Sequence, residues 1–593
     1  MTNYLTPRMK TVAKVLKRTV MLRRSKVIAA ICLGIFILYF CSGHLISFAW
    51  QNGGFRFESG EYHSDRIDNM AFAMAAKTLG PTFVDPVNKS DLIFYQHFGY
   101  WLLGGASNLV DLEPWTLANI VHVFYPLLLG AAALFTFIQI TDQFYISLAS
   151  VLLLFSFGSL DFVFQEPQWY GVHAILLTFS KQTYGFYMDS YSLAFGIAAL
   201  GCFVKARKEE AAGFFLPAGS VFTSLSILTH YLSGLYIFCV LLASCICWST
   251  DWLKFWQVLR SNKPTAFLAL SLFISYYFIL SVYGWRPPML IIGGYIAASF
   301  VYIARYRTTN RYYFFLGLSA VLPIAYAGLN VFSIYSSGAD GLNYNTNIRN
   351  IDLSIPVWTF IRAYAPVLLG CIAAVALETA KESRGLYIGI IAVSLIFIFN
   401  AEMGYNNHPY RFIPYSMPLL VCISVKGFYE LARNARSSRA IAKRLLYSLT
   451  LGIGICLFTL GAKENLNEHA RFSPSQNRLV DKDIDVISDF LNRFPGNHHS
   501  VFFVDPRLVS MRGLAPYTSV RLAASSMTNP RQNLDKRDYE EGLISLITLL
   551  QKQSTKRLKI DYVLTSQDLG GIASRIKQGP PIKGKKTHVY ELR

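Results

Sequence analysis

The chain is poor in charge: of 593 residues only 15% are Asp, Glu, Lys or Arg, while 53% are hydrophobic. Soluble domains carry about 25% charged residues. Here the deficit is concentrated in long apolar blocks, which excludes a string of soluble domains and implies a polytopic membrane chain. Cysteine is missing wherever a disulfide frame or a metal knuckle would need it. All nine (Cys32, Cys41, Cys202, Cys239, Cys245, Cys247, Cys371, Cys422 and Cys456) fall in candidate spans. There is no GxxxxGK(S/T) loop, no HExxH and no nucleophile elbow, so ATP-driven transport and zinc proteolysis by their usual motifs are out. Low-complexity segments and internal repeats are also lacking.

What is abundant is positive charge, +20 in all. Its placement points to a membrane rather than to nucleic acid. Lys10, Lys14, Lys17, Arg18, Arg23, Arg24 and Lys26 precede the first apolar run, and Arg433, Arg436, Arg439, Lys443 and Arg444 precede the last. This is the positive-inside pattern, and no nucleic-acid partner is expected. The run Val27–Ala49 is too long for a signal-peptide core and reads as a retained anchor.

A spanning helix needs about 20 mostly apolar residues. Such runs lie near 27–49, 115–139, 144–163, 190–205, 212–229, 231–248, 264–284, 288–304, 312–330, 356–378, 385–400, 412–432 and 445–461. With these thirteen spans, the basic stretches at 205–208, 254–263, 305–311, 381–384 and 433–444 all fall on the cytoplasmic side. Counting the apolar stretch Asp91–Val110 as a further span would invert that register, so it is read as a re-entrant or interfacial helix.

The expected layout has a cytoplasmic N-terminus (1–26), a transmembrane domain (27–461) with a first external loop over about 50–114, and an external soluble domain (462–593). In that tail, Asp483–Phe494 and Tyr539–Gln551 have helical spacing. Ser500–Val504, Ile560–Thr565 and Thr587–Leu592 read as strands, which makes a small α/β unit. The span centres are nearly free of charge, which argues against a transporter or flippase.

Candidate chemistry gathers on the external side. The segment from Glu58 to Asn69 packs four carboxylates and His63 just behind the first span. Asp65 and Asp68, three apart, share a face near the N-terminus of the helix-favouring run that follows. Carboxylates there suit deprotonation of an acceptor or retention of a divalent cation, and one of the two would equally serve as an N-cap. Glu166 and Asp189 bracket an aromatic stretch that also holds Lys181. His230 lies at the outward turn between two spans, either as a functional group or as a satisfied interfacial side chain. Before the twelfth span comes His408-Pro409-Tyr410-Arg411-Phe412. Arg411 is placed to grip a lipid phosphate with its planar fork or simply to snorkel.

This arrangement resembles the GT-C superfamily of polytopic glycosyltransferases, which use polyprenyl-phosphate-linked sugar donors. The resemblance rests on the acids behind span one (Asp65, Asp68), an acidic loop after span three (Glu166), a loop between spans nine and ten, an external C-terminal domain and the Arg-Phe run at Arg411. The WWDYG signature of oligosaccharyltransferases is absent, and Asp65 is followed by Arg66 rather than by a second acid.

The resemblance implies an α-helical membrane enzyme that moves a sugar to a glycan, lipid or protein acceptor at the external face of the cell inner membrane. Asp65 or Asp68 would act as base. Glu166, Lys181, His230, His408 and Arg411 would bind substrate. A divalent cation, Mg or Mn, is left open, with Asp68 and Glu166 as its holders. A polysaccharide polymerase or ligase, and a non-enzymatic transporter, are the alternatives.

Overall fold

The computed structural model describes residues 24–58, 63–87, 89, 92, 97–157, 160, 188–208, 212–249, 310–336, 356–400, 409–438, 440–472, 478–494, 500–505, 508, 511–523, 560–567, 569 and 573–592. Its first helix, α1 (Arg24–Gln51), leads into the short strand β1 (Phe57–Glu58) and the loop helices α2 (His63–Leu79) and α3 (Phe98–Leu109). The bundle continues with α4 (Pro114–Thr141), α5 (Phe144–Ser156), α6 (Met188–Lys208), α7 (Ala212–Thr229), α8 (Tyr231–Ser249) and α9 (Asn310–Ser336). It closes with α10 (Val357–Ala363), α11 (Ala365–Leu377), α12 (Lys381–Ile398), α13 (Pro409–Ser437) and α14 (Ile441–Phe472).

Ten of the thirteen expected spans are helical where the apolar runs lie; the run 144–163 is helical over 144–156, and 264–284 and 288–304 fall outside the described residues. Among the described residues, five helices are individually long and apolar enough to cross a membrane, and a bent pair makes a sixth. On α1, Val27, Ile28, Ile31 and Ile35 are exposed, as are Ile441, Leu445, Leu446 and Leu449 on α14. Those apolar faces suit lipid rather than water. Among its described residues, the stretch at 91–110 contributes the 12-residue α3, a helix about 18 Å long and too short to span.

The run expected as one span over 356–378 is instead two helices, α10 and α11, meeting at 83°. Pro366 lies in the first turn of α11, where its missing N–H is harmless but where it cannot continue α10. In the other direction, α14 runs on past the expected domain edge at 461, because the polar stretch that follows is built largely of good helix formers. Where α13 crosses α11, a Cβ on Gly427 would run into the Gly370 carbonyl oxygen. Glycine is what lets these two backbones touch.

The two ends of α4 define the two ends of the bundle. Beyond its C-terminus, the Asp142 carboxylate lies 2.7 Å from Lys208 Nζ, and Arg207 pairs with Glu382 at 2.9 Å. Two of the basic clusters thus share one end. At the other end, Arg56 bridges Glu113 (3.0 Å) and Asp485 of the tail (2.8 Å). α4 has 28 residues, which is about 42 Å of helix, so the first loop and the tail lie opposite the basic clusters.

The tail comprises β2 (Arg478–Leu479), α15 (Lys482–Asn492), β3 (Val501–Val504), the single turn α16 (Met511–Leu514), a 3-10 turn Ala515–Tyr517, β4 (Arg521–Leu522), β5 (Tyr562–Thr565), β6 (Ala573–Gln578) and β7 (His588–Leu592). Five strands form a sheet in the order β4-β3-β5-β7-β6. β3 runs parallel to β4 and β5, while β7 runs antiparallel to β5 and β6. On α15, Ile484, Ile487 and Leu491 are buried, and Phe494 just beyond it meets Phe502 and Tyr562 edge-on at 5.1 Å. The helix expected at 539–551 lies outside the described residues.

Candidate functional site

The acid-bearing helix is α2. It begins at His63, so Asp68 lies in its second turn and is not its N-cap. The structure fixes the backbone of Asp65 one turn before Asp68, on the same face. Asp68 is 7% exposed and Asn69 is 4%. The Tyr100 hydroxyl donates to Asn69 Oδ1 at 2.6 Å, tying α2 to α3. The two helices approach closely because a Cβ on Gly104 would fall 2.6 Å from the Ala73 carbonyl oxygen. Phe72 stacks on Tyr100 at 5.4 Å and meets His97 edge-on at 5.1 Å. Asn108 Nδ2 donates to the Lys77 carbonyl and Lys77 Nζ to the Leu112 carbonyl, both at 2.8 Å. The hairpin is thus a rigid shelf with Asp68 set into it.

That shelf rests on the tail. α2 packs on the 511–517 turns. β1 pairs antiparallel with β2, Phe57 opposite Leu479. Trp115 Nε1 donates to the Phe57 carbonyl (2.6 Å) and Asn119 Nδ2 to the Phe55 and Phe57 carbonyls (2.6 and 2.9 Å), which fixes β1 on the start of α4. The Trp115 ring stacks on Tyr517 at 5.5 Å.

His230 lies elsewhere in sequence but at a related place in the bundle. It is the residue before α8, and its Nδ1 accepts the Ser233 amide at 3.3 Å, so it acts as an N-cap. Nδ1 also lies 3.0 Å from Ser233 Oγ. Ser233 Oγ donates to Ser192 Oγ at 2.7 Å, and Ser192 Oγ to the Ser226 carbonyl at 2.7 Å. The His230 ring meets Tyr415 edge-on at 6.1 Å.

Tyr415 is one helical turn after Arg411, whose backbone sits in the first turn of α13. The structure therefore brings His230 to the start of the helix that carries Arg411. α3 also packs on α7, which ends at Thr229, and Gly99 at the start of α3 abuts Met188, the residue before Asp189. Loop one, the start of α6, the α7–α8 turn and α13 thus form a contiguous chain of contacts.

Glu166, Lys181 and His408 lie outside the described residues, so of the two residues named as holders of a divalent cation only Asp68 is described. Among the described residues no group of three His, Cys, Asp or Glu could hold a metal ion.

Sequence reasoning missed three features. Asn69 and Tyr100 lock the hairpin, and only the tertiary contact reveals them. The second is Lys89, buried between loop one and the tail. The third is a buried ion cluster in α13, where Lys426 Nζ is 2.7 Å from Glu430 Oε1 and Arg433 is 2.6 Å from Glu430 Oε2. Lys426 and Glu430 lie in the last third of the run 412–432, away from its centre. The i, i+4 spacing of Lys426 and Glu430 inside the run 412–432 was the available signal.

No family model matches the sequence, and no curated protein matches it. In structure, the chain is similar to the oligosaccharyltransferase of Archaeoglobus fulgidus, with a TM-score of 0.52 at 11% identity over 91% of this chain and 69% of that one. The chain has the GT-C fold. ArnT from Cupriavidus metallidurans bound to undecaprenyl phosphate is also similar, at 11% identity over 95% of this chain and 97% of that one, with a TM-score of 0.45. So is the mycobacterial arabinofuranosyltransferase AftD, at 11% identity over 96% of this chain and 41% of that one, with a TM-score of 0.48. Within the GT-C fold of this chain, the α2–α3 hairpin and the α13 start lie on the described path of contacts from the tail into the bundle.

Proposed function

We propose that the protein is a membrane glycosyltransferase that moves a sugar from a polyprenyl-phosphate-linked donor to a glycan, lipid or protein acceptor at the external face of the plasma membrane. The observation that carries this reading is the acid-bearing shelf of α2, held between the bundle and the tail at the end of α4 opposite the basic clusters. By the positive-inside rule that end is external. The A. fulgidus oligosaccharyltransferase, whose fold this chain shares, has also been solved with an inhibitory peptide and a dolichol-phosphate, which supports a lipid-linked donor here.

In this reading Asp65 or Asp68 takes the proton of an acceptor hydroxyl as the oxygen attacks the anomeric carbon. The bond from that carbon to the phosphate oxygen breaks, and the polyprenyl phosphate leaves with its charge met by Arg411. His230, beside the start of α13, and His408 and Lys181 bind donor or acceptor. A divalent cation at Asp68 and Glu166 would supply further charge for the leaving phosphate.

The Lys426–Glu430 pair is the observation a transport reading would claim. It is closed on itself and on Arg433, toward the end of α13 that carries the basic residues, so it favours a structural role. Mass spectrometry of surface glycans in a deletion strain tests the proposal. Loss of a transferase removes one decoration, loss of a polymerase or ligase collapses chain length, and an unchanged glycan profile with lost lipid or solute movement supports transport instead.

A further inference from the structure

The connection between α2 and α3 contains a lysine in an unusual setting. Lys89 is 5% exposed and its backbone is in the left-handed region at φ 52°, which a residue with a Cβ adopts at a cost. Its ammonium donates to the Thr518 carbonyl at 2.6 Å and to the Val520 carbonyl at 3.2 Å. Both acceptors belong to the irregular stretch of the tail between the 3-10 turn and β4. A buried amine needs hydrogen-bond partners, and these two come from the other end of the chain. Conversely, two carbonyls of a non-repetitive stretch need donors, and Lys89 supplies them.

The backbone around Lys89 is built to present it. The Lys89 amide donates to the Asp85 carbonyl at 2.9 Å, and Asp85 Oδ1 accepts the Val87 amide at 2.9 Å. The Val87 carbonyl in turn accepts the Leu522 amide at 3.1 Å, so the turn extends the hydrogen bonding of the edge strand β4. The tight turn at 85–89 is therefore stitched to the tail by one backbone bond and two side-chain bonds. Because it connects the two helices of the Asp68 shelf, fixing it fixes the hairpin.

We propose that Lys89 is a positioning residue, pinning the α2–α3 hairpin onto the C-terminal unit so that the tail sets the register of the α2 carboxylates. The pin explains why a lysine is buried where the first loop meets the tail. It also explains why its partners are backbone carbonyls, whose positions are set by the tail's fold and not by a side-chain rotamer. The activity consequence rests on the glycosyltransferase reading; the structural consequence does not.

The test uses the full chain in lipid nanodiscs. Hydrogen exchange is measured on Lys89→Met and Lys89→Arg, with the 114–141 peptide as the control for a folded bundle. Lys89→Met is expected to raise exchange at least tenfold both in 63–79 and in 511–523, leaving 114–141 unchanged, and Lys89→Arg to restore at least part of the protection.

With a polyprenyl-phosphate sugar as donor, kcat is expected to fall tenfold or more in Lys89→Met while the KM for donor changes less than twofold. Tyr517→Ala, which loosens the same junction from the tail side, should add little on top. Wild-type protection of 63–79 in Lys89→Met, or loosening confined to 511–523 with unchanged turnover, overturns the pin. If the wild-type chain turns over no such donor, the glycosyltransferase reading fails, and the exchange result alone decides the pin.

Discussion

Arg56 lies 2.8 Å from Asp485, and through that ion pair the segment just behind the first span meets the first helix of the tail. Burial raises the Asp485 carboxyl above its ordinary range while the Arg56 guanidinium pulls it back, so the pair is a half-shielded contact rather than a strong one. Its value is topological, since it puts the first loop and the tail on one side.

That side is open to direct measurement. A reporter fused after Arg593 should report the external compartment, and one inserted within 433–444 the cytoplasm. If both report the same side, the thirteen-span register is wrong.

The two acids of α2 should separate by isosteric change, because Asp→Asn keeps size and removes basicity. Asp65→Asn is expected to abolish transfer with membrane insertion intact. Asp68→Asn should lower transfer less, since Asp68 is set into the shelf beside the Asn69–Tyr100 bond. Near-normal turnover in both singles and the double would remove the base from this loop.

Arg411 is expected to need its fork and not only its charge. Arg411→Lys should weaken donor use, and a binding assay on purified Arg411→Ala should show donor affinity reduced. Unchanged affinity there would leave snorkelling as its role.

His230 has two separable nitrogens. An Asn side chain can reproduce the Nδ1 cap and a Gln can reach toward the Nε2 position. His230→Asn should keep thermal stability near wild type, whereas His230→Gln should lose about 1 kcal/mol, the usual worth of an N-cap. If His230 binds substrate, steady-state kinetics should show His230→Gln with the smaller loss of donor or acceptor binding. Full activity in His230→Asn would reduce the residue to a cap.

Burial pulls Lys89 down from its ordinary 10.5 to about 7. Between those values the unfolded chain carries a proton there that the folded chain does not, so this group makes folding stability rise with pH across that window. Below about 7 the burial penalty is fully in force. Melting temperatures recorded from pH 6.5 to 10 should show this rise in the wild type and a flatter profile in Lys89→Met. Identical profiles would mean that Lys89 stays charged in place.

Much of the fold was legible because lipid imposes a length and a polarity that any sequence must display. The runs that became α1, α4, α9, α13 and α14 were visible for that reason. In the tail, β3, β5 and β7 announced themselves through Val, Phe, Tyr and Leu. β6, with the polar sequence Ala-Ser-Arg-Ile-Lys-Gln, is an edge strand and gave no such signal. Proline was a poor guide. Pro366 accompanies a break, yet Pro414 and Pro418 lie inside a continuous α13, because neighbouring helices decide whether a freed backbone group can be accommodated.

By itself, then, the sequence determined a basic-sided, multi-span helical chain with an α/β tail and acids behind its first span, since periodicity and charge placement are local and additive. Only the tertiary structure decided that β1 pairs with β2, that Val87 and Lys89 bond to the tail, and that His230 meets the start of α13. Those contacts join segments up to hundreds of residues apart. Their closure entropy is offset by packing and hydrogen bonds formed together, and no local pattern in the chain encodes such a pairing.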